Sequence, residues 1–206
     1  MAAASQPATT PVRTPPTLRD RATRAVRAEI AGVAIRLFLE QGFDKTTVDQ
    51  IAAEAGLSRT SFFRYFATKE DAVLGHLEEL GQKARDALEA RPADEPAWQS
   101  LRHAFGVLIA ERSAYPEGGM GMHRMLRDTP SLQARHLGRQ ANWQELLAPE
   151  VARRLGIPAD PRDPRPRALV AAALGCLNVA VDVCARSEGA ADLADLLDQA
   201  MGALAG

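Results

Sequence analysis

Four side chains in one short segment have the types and spacing that could read the edges of DNA bases. Arg64 carries a planar guanidinium that can donate two parallel hydrogen bonds to guanine. Thr60, four residues earlier, offers a hydroxyl and a methyl group on the same helical face. Arg59 lies at the N-terminal end of this face and Phe63 at its edge. The pattern predicts a helix that reads a major groove, although a solvated surface helix has a similar composition.

The residues around this segment are those that would hold such a helix in place. Ala52 is small enough to let two helices approach, Gly56 permits a turn with φ > 0, and Phe62 fills the gap between them. Ser58 is a good N-cap for the second helix. Phe66 lies one turn after Phe62 and continues the buried stripe. These spacings predict a helix-turn-helix.

The first helix of this motif has two possible starts. Thr46 or Thr47 could cap it, with Asp49 or Gln50 three residues later completing a capping box. The sequence pattern fits both registers equally well, so both remain open.

The segment from Thr46 to Lys69 and its flanks resemble the TetR family of bacterial transcription regulators. The resemblance covers roughly residues 24 to 75, through the motifs FLEQGF, TTVDQIAAEAGLS and SFFRYFATKE. It implies phosphate contacts for Lys69 and for one of the two threonines. Phe63 stands where many relatives have tyrosine, so a contact to a thymine methyl would replace a hydroxyl contact. The DNA-binding residues that the resemblance implies are Thr46, Thr47, Ser58, Arg59, Thr60, Phe63, Arg64, Tyr65 and Lys69.

The resemblance and the periodicity together predict an all-α fold. Residues 21–68 would form an N-terminal three-helix DNA-binding domain, and residues 69–206 a helical domain for ligand binding and dimerisation. No segment alternates like a strand, and about nine helices are expected. Residues 1–20, rich in proline and threonine, are expected to be a disordered tail, with a minor-groove arm through Arg13 and Arg19 as the functional alternative.

Helix boundaries follow from caps and breakers. The first helix should span about 21–40 and the helix after the motif about 69–90. We expect a break from Tyr115 to Gly119 and a long helix, capped by Thr129, Pro130 and Ser131, with a possible interruption at Pro149. The other helices are expected at about 97–114, 120–127, 131–155, 167–187 and 191–205.

The family resemblance implies a small-molecule pocket in the middle helices. Aromatic residues and methionines without an Arg or Lys cluster favour an apolar or aromatic compound over a sugar phosphate. Ordinary core packing is the alternative for most of them. The pocket residues expected are Trp98, Phe105, Met122, His123, Met125, Trp143, Asn178 and Asp182, with Met120, Asn142 and Leu146 as further candidates.

The last two helices are the most apolar of the chain. In the family that the chain resembles, such helices pair across a two-fold axis to form a four-helix bundle, which would make the protein a homodimer. Burial within one chain is the alternative. The dimer residues expected are Leu174, Leu177, Val181, Leu193, Leu196, Leu197, Ala200 and Leu204.

Composition narrows the remaining possibilities. The chain has 25 Lys and Arg against 26 Asp and Glu, but residues 1–75 carry ten against eight, a modest positive excess that suits a DNA-binding head. With only two cysteines, a disulfide framework is excluded and a cytoplasmic location is expected. The longest apolar stretch contains Asn178 and Asp182, so we expect a buried helix and no membrane partner. Catalytic motifs, metal spacing and cofactor loops are not apparent.

These observations predict a repressor that binds a palindromic DNA operator as a homodimer and is released by a small, largely apolar effector. Two alternatives remain: a helical ligand-binding protein of the same fold without DNA affinity, and a helical enzyme of unrecognised type.

Overall fold

The computed structural model describes residues 17–113, 116–187 and 190–205. Within these residues the chain forms nine α-helices and no strand. In chain order they are α1 (Leu18–Gln41), α2 (Val48–Glu54), α3 (Arg59–Tyr65), α4 (Lys69–Glu89), α5 (Ala97–Ser113), α6 (Pro116–Asp128), α7 (Pro130–Arg154), α8 (Pro164–Arg186) and α9 (Leu193–Gly202).

Helix α1 begins three residues earlier than expected. Thr17 is its N-cap and forms a capping box with Asp20, which satisfies backbone N–H groups that the first turn leaves without partners. The expected tail was therefore too long by residues 18–20, and Arg19 lies in the first helical turn. Residues 1–16 of the expected tail, which include Arg13, lie outside the described residues.

Helix α6 begins at Pro116, where the sequence suggested a break that would last to Gly119. Proline is tolerated in the first helical turn because its missing N–H would have no helical partner there. Tyr115, the start of the expected break, lies outside the described residues, as does the side chain of Met120.

Proline also occurs inside or at the start of the two long helices that follow. Helix α7 continues through Pro149, with Leu147 and Val151 on either side fully buried, so packing outweighs the lost hydrogen bond. Thr129 is at its N-cap position but its side chain makes no capping bond. Helix α8 starts at Pro164, three residues earlier than expected, because Asp163 caps it.

Helix α9 is shorter than expected at both ends. The side chain of Asp192 accepts hydrogen bonds from the backbone of Ala194 and Asp195, which fixes the start at Leu193. The helix ends at Gly202, and residues 203–205 form turns closed by backbone hydrogen bonds.

Two hydrophobic cores share α4. The first lies among α1 to α4 and includes Val73 and Leu74 from the start of α4, together with Leu126 of α6 and Leu132 of α7. The second lies among α4, α5, α7, α8 and α9, and takes Leu88 from the end of α4. The expected domain boundary between residues 68 and 69 therefore falls at the start of α4, but α4 itself packs in both cores. A displacement of α4 would change the packing in both cores.

Candidate functional site: a helix-turn-helix next to a central cavity

The turn between α2 and α3 has the geometry that its small residues require. Gly56 has φ of 67°, a conformation that favours glycine. Ala52 is 2% exposed, and its carbonyl accepts a hydrogen bond from the N–H of Leu57 at 2.8 Å. Phe62 is completely buried in the gap between the helices. The hydroxyl of Ser58 accepts from the N–H of Ser61 and so caps α3.

The structure decides between the two capping registers. Thr47 is the N-cap of α2, and Gln50 completes the box. Thr46 is only 1% exposed, and its hydroxyl donates to the carbonyl of Gly42 at 2.8 Å. The Thr46 hydroxyl is therefore a buried structural group. Of the two threonines, Thr47 is the one whose surface faces solvent.

The outer face of α3 is formed by the residues expected to read bases. Thr60 and Arg64 are exposed, and Phe63 is 43% exposed although it is a large apolar side chain. Arg59 lies 2.8 Å from the carboxylate of Asp49 on α2 and stands over the ring of Phe63. The Arg64 guanidinium lies over the ring of Tyr65, 5.1 Å from its centroid.

Lys69 has a structural role that the sequence did not reveal. Its Nζ donates to the carbonyls of Phe43 at 2.7 Å and Thr46 at 3.0 Å, and it stands 4.3 Å from the centre of the Phe43 ring. The ammonium thus ties the start of α4 to the loop between α1 and α2. Since an ammonium has three N–H donors, one remains for another acceptor such as a phosphate.

A cavity of about 1110 Å³ lies next to the end of α3. Its walls come from α1 and from α4 to α9, with Phe66 just after α3 contributing one edge. Five of the residues expected in a pocket line it: Met122, His123, Trp143, Asn178 and Asp182. Their contact with a ligand remains a prediction.

Three other expected pocket residues do not line this cavity. Phe105 is fully buried in the second core. Trp98 packs against that core, and its indole N–H donates to the carbonyl of Met201 at 3.3 Å. Met125 packs against the first core. Apolar type alone could not separate wall residues from core residues. Asn142 and Leu146 lie instead at a small neighbouring pocket of about 110 Å³, which Trp143 also borders.

The expectation that no Arg or Lys cluster accompanies the pocket was wrong. The cavity is lined by Arg27 of α1, Lys83 of α4, Arg127 of α6 and Arg139 of α7. These residues are far apart in the sequence, and only helix packing brings them to one space. The effector therefore need not be wholly apolar.

One carboxylate and two imidazole groups give the cavity further polarity. Asp182 lies within 4 Å of Arg127, Arg186 and the imidazole of His123. Burial lowers the pKa of His136, and the nearby His123 lowers it further. The imidazole of His136 is therefore neutral at physiological pH and acts as a hydrogen-bonding group, with Gln140 at 3.0 Å.

Most of the expected dimer residues are used within one chain. Leu197 is completely buried and Leu174 is 4% exposed. Leu196 and Ala200 pack against the second core. Leu197 and Leu174 thus offer little or no surface to a second copy of the chain, and their place in a dimer interface stays a prediction. Four of the expected residues line the cavity instead: Leu174, Leu177, Val181 and Leu193.

Helix α8 instead exposes a different apolar face. Val179 is 57% exposed and Val183 is 41% exposed, and Ala168 and Gly175 are exposed on the same side. Leu204, the one remaining expected dimer residue, is 61% exposed beyond the end of α9. Among the described helices, α8 is the one long and apolar enough to cross a membrane, a test that core helices of soluble proteins also pass.

Comparison with known proteins shows which family models match this chain. Residues 30–74 match the family model for bacterial regulatory proteins of the tetR family, and residues 95–206 match the model for the MftR C-terminal domain. The chain belongs to the TetR family of transcription regulators. Members of this family are not usually enzymes. Among the residues that the structure describes, no group of three or more His, Cys, Asp or Glu side chains could hold a metal ion.

This chain is similar to a known regulator in sequence and to a solved structure in fold. The chain is 37% identical over 162 residues to the HTH-type transcriptional regulator TcmR of Streptomyces glaucescens, covering 76% of this chain and 71% of TcmR. Its fold is similar to that of the fatty acid degradation regulator FadR of Bacillus halodurans, with a TM-score of 0.64, 18% identity, and coverage of 88% of this chain and 95% of FadR.

A second solved structure carries a ligand. Thermus thermophilus FadR, described as a TetR-family repressor in complex with lauroyl-CoA, has a TM-score of 0.54 and 24% identity. The match covers 87% of this chain and 93% of that one. Both FadR likenesses establish the fold.

Proposed function

We propose that this protein is a cytoplasmic repressor that binds a palindromic operator as a homodimer and releases it when a small molecule occupies the central cavity. The observation that carries the proposal is an exposed helix α3 whose next residue, Phe66, lines a large cavity, with α4 lining the same cavity and packing in both cores.

The DNA contacts are assigned to the exposed face of the helix-turn-helix. Thr60, Phe63 and Arg64 would meet base edges. Tyr65 and the residues at the helix starts would meet the backbone, since helix N-termini offer free N–H groups to phosphates. The residues at the helix starts that would contact the DNA backbone are Thr47, Ser58, Arg59 and Lys69.

A second copy of the chain would cover the exposed face of α8. An apolar face that includes Val179 and Val183 loses contact with water when a matching face packs on it. The small residues Ala168 and Gly175 allow the two helices to approach closely. Dimerisation would set the two heads at the spacing of successive major grooves, about 34 Å.

The cavity is connected to the heads through α4. The indole of Trp143, at the cavity wall, packs directly on Gly81 of α4, so that a Cβ at this glycine would lie 2.5 Å from the indole nitrogen. A ligand that moves Trp143 would therefore displace α4 and the heads with it. By linkage, the factor by which the ligand weakens operator binding equals the factor by which it binds the DNA-free protein more tightly than the operator complex.

The test begins with an operator selected by the wild-type protein from random-sequence duplex DNA. Arg64→Ala should weaken binding to the selected operator by roughly 1–3 kcal/mol and leave binding to a shuffled duplex nearly unchanged. Arg85→Ala, at a half-buried arginine remote from α3 on α4, is the control. Failure to enrich any sequence would reject the repressor and favour a ligand-binding protein of the same fold. Equal losses on both duplexes would remove Arg64 from base reading.

A further inference from the structure

Arg27 joins the cavity to the DNA-reading helix. It projects from α1, is half-buried, and lines the cavity. Its Nη1 donates to the carbonyl of Tyr65 at 2.6 Å, and Tyr65 is the last residue of α3. Its guanidinium also lies 4.6 Å from the centre of the Phe66 ring. Gly75 of α4 lies close by, since a Cβ at that position would make ordinary van der Waals contact with Nη2 of Arg27 at 3.7 Å.

The contacts of Arg27 leave its charge without a carboxylate. Both the Tyr65 carbonyl and the Phe66 ring are neutral groups, and in the described part of the chain no ion pair reaches Arg27. The other cavity arginines differ in this respect. Arg127 lies against Asp128 and near Asp182, and Arg139 lies near Asp71 and Glu78. A half-buried cation gains most from an anion that enters the same space.

Much of the wall that shares the cavity with Arg27 is apolar, although Glu79 and Asp182 also line it. Leu80 of α4, Leu108 and Ile109 of α5, and Leu174 and Leu177 of α8 line the same cavity. A cavity with several apolar wall residues and an arginine that forms no ion pair with any described carboxylate is complementary to an amphiphile: a hydrocarbon chain that ends in an anion.

We propose that the cavity binds an amphiphile whose anionic group reaches Arg27, and that this anion displaces the carbonyl of Tyr65 from the guanidinium. A carboxylate or phosphate oxygen is the stronger acceptor, because a hydrogen bond between two ionised groups exceeds one to a neutral carbonyl. The C-terminal end of α3 then loses a tether to α1. Arg27 is thus a positioning residue for α3 and the ligand contact that controls it. This inference rests on the proposed function for its regulatory consequence, but not for the ligand chemistry.

The ligand chemistry is tested on the free protein without DNA. Octanoate, decanoate and dodecanoate are titrated by calorimetry beside the primary alcohols of the same chain lengths. The wild type should prefer carboxylate to alcohol by about tenfold, which corresponds to about 1.4 kcal/mol. Arg27→Gln should abolish this preference, and Arg27→Lys should restore part of it. Arg24→Gln, one turn earlier on the exposed face of α1 and outside the cavity lining, should keep it.

The regulatory step is tested on the operator complex. Dodecanoate should release the wild-type protein from its selected operator, whereas the Arg27→Gln complex, weaker at the outset, should not respond. Circular dichroism checks that each variant is folded. Equal binding of carboxylates and alcohols, a preference that survives in Arg27→Gln, or no saturable carboxylate binding would each overturn the inference. Operator release by alcohols alone would overturn it while leaving the proposed function intact. Carboxylate binding that depends on Arg27 in a protein with no operator would reject the proposed function and support the ligand chemistry.

Discussion

The ammonium of Lys69 holds the carbonyls of Phe43 and Thr46, so its removal should disturb the fold as well as any phosphate contact. We expect Lys69→Ala to lower the free energy of unfolding by about 1–3 kcal/mol, because two carbonyls lose a charged donor. Urea unfolding without DNA measures this loss. Lys45→Ala, at an exposed lysine in the loop before α2, should change stability by less than about 0.5 kcal/mol. An unchanged unfolding curve with a flatter salt dependence of DNA binding would assign Lys69 to phosphate alone.

Thr46 and Thr47 show how two adjacent residues of one type acquire different roles. Thr47 caps α2 at the surface, whereas Thr46 is buried with its hydroxyl on the carbonyl of Gly42. The alternation of the loop backbone directs one side chain outward and the other inward. Of these two side chains, only that of Thr47 is exposed enough to meet DNA, and this contact stays a prediction.

At the scale of helices, Gly81 governs how closely α7 approaches α4. Gly81→Ala places a methyl group against the indole of Trp143, and the indole must move, at a cost of about 1–3 kcal/mol in the free energy of unfolding. Thermal unfolding and Trp fluorescence report the two effects together. Gly138→Ala, on the exposed side of α7 with open space at its Cβ position, should instead stabilise by about 0.5–1 kcal/mol. Destabilisation by both variants would mean that helix backbone effects, not Trp143, decide the outcome.

Glu95 stabilises the connection between α4 and α5. Its carboxylate accepts from Arg91 first, and also from Ser100, which lowers its pKa from 4.5 to about 2. Because the folded state holds this carboxyl more strongly ionised than the unfolded state does, its stabilisation is complete above pH 4.5 and is lost as the pH falls towards about 2.

Replacement of this carboxylate should flatten the acid response. We expect Glu95→Gln to be less stable than wild type at neutral pH and to converge with it as the pH falls through that window. Urea unfolding at a series of pH values measures the difference. Glu89→Gln, at an exposed side chain near the end of α4, is the matched control. A constant gap between Glu95→Gln and wild type across the window would contradict the assignment.

At the scale of the whole molecule, we propose that the exposed face of α8 meets a second copy of the chain, whereas the buried face of α9 belongs to the core. Val179→Arg places a charge on the exposed face of α8, and should give folded monomers with weak operator affinity. Leu197→Asp places a charge in the core of one chain, and should unfold it at the cost of an unpaired buried charge. Light scattering and circular dichroism separate these outcomes.

Val107→Arg is the control for surface charge, since Val107 is exposed to 43% on α5. It should stay dimeric and folded. A folded but monomeric Leu197→Asp, together with a dimeric Val179→Arg, would place the interface on the α9 stripe that the sequence first indicated.

The sequence by itself determined the helix-turn-helix. Its signals are local: a glycine at the turn, a serine cap, and phenylalanines one turn apart act within a few residues of one another. Local backbone preference and capping therefore suffice to predict α2, α3 and the exposure of Thr60 and Arg64. The same local reasoning predicted the all-α class, and missed helix starts where proline stands in the first turn.

The tertiary structure alone decided which apolar residues face a cavity, a core or the surface. Leu177, Phe105 and Val179 have similar hydrophobicity, yet one lines the cavity, one is buried and one is exposed. Helical periodicity assigns a residue to a face, but only the packing of several helices determines what that face meets. The same packing brings Arg27 of α1 to the cavity and to the carbonyl of Tyr65, 38 residues away in sequence. Contacts over such separations depend on the relative placement of whole helices, which no local pattern specifies.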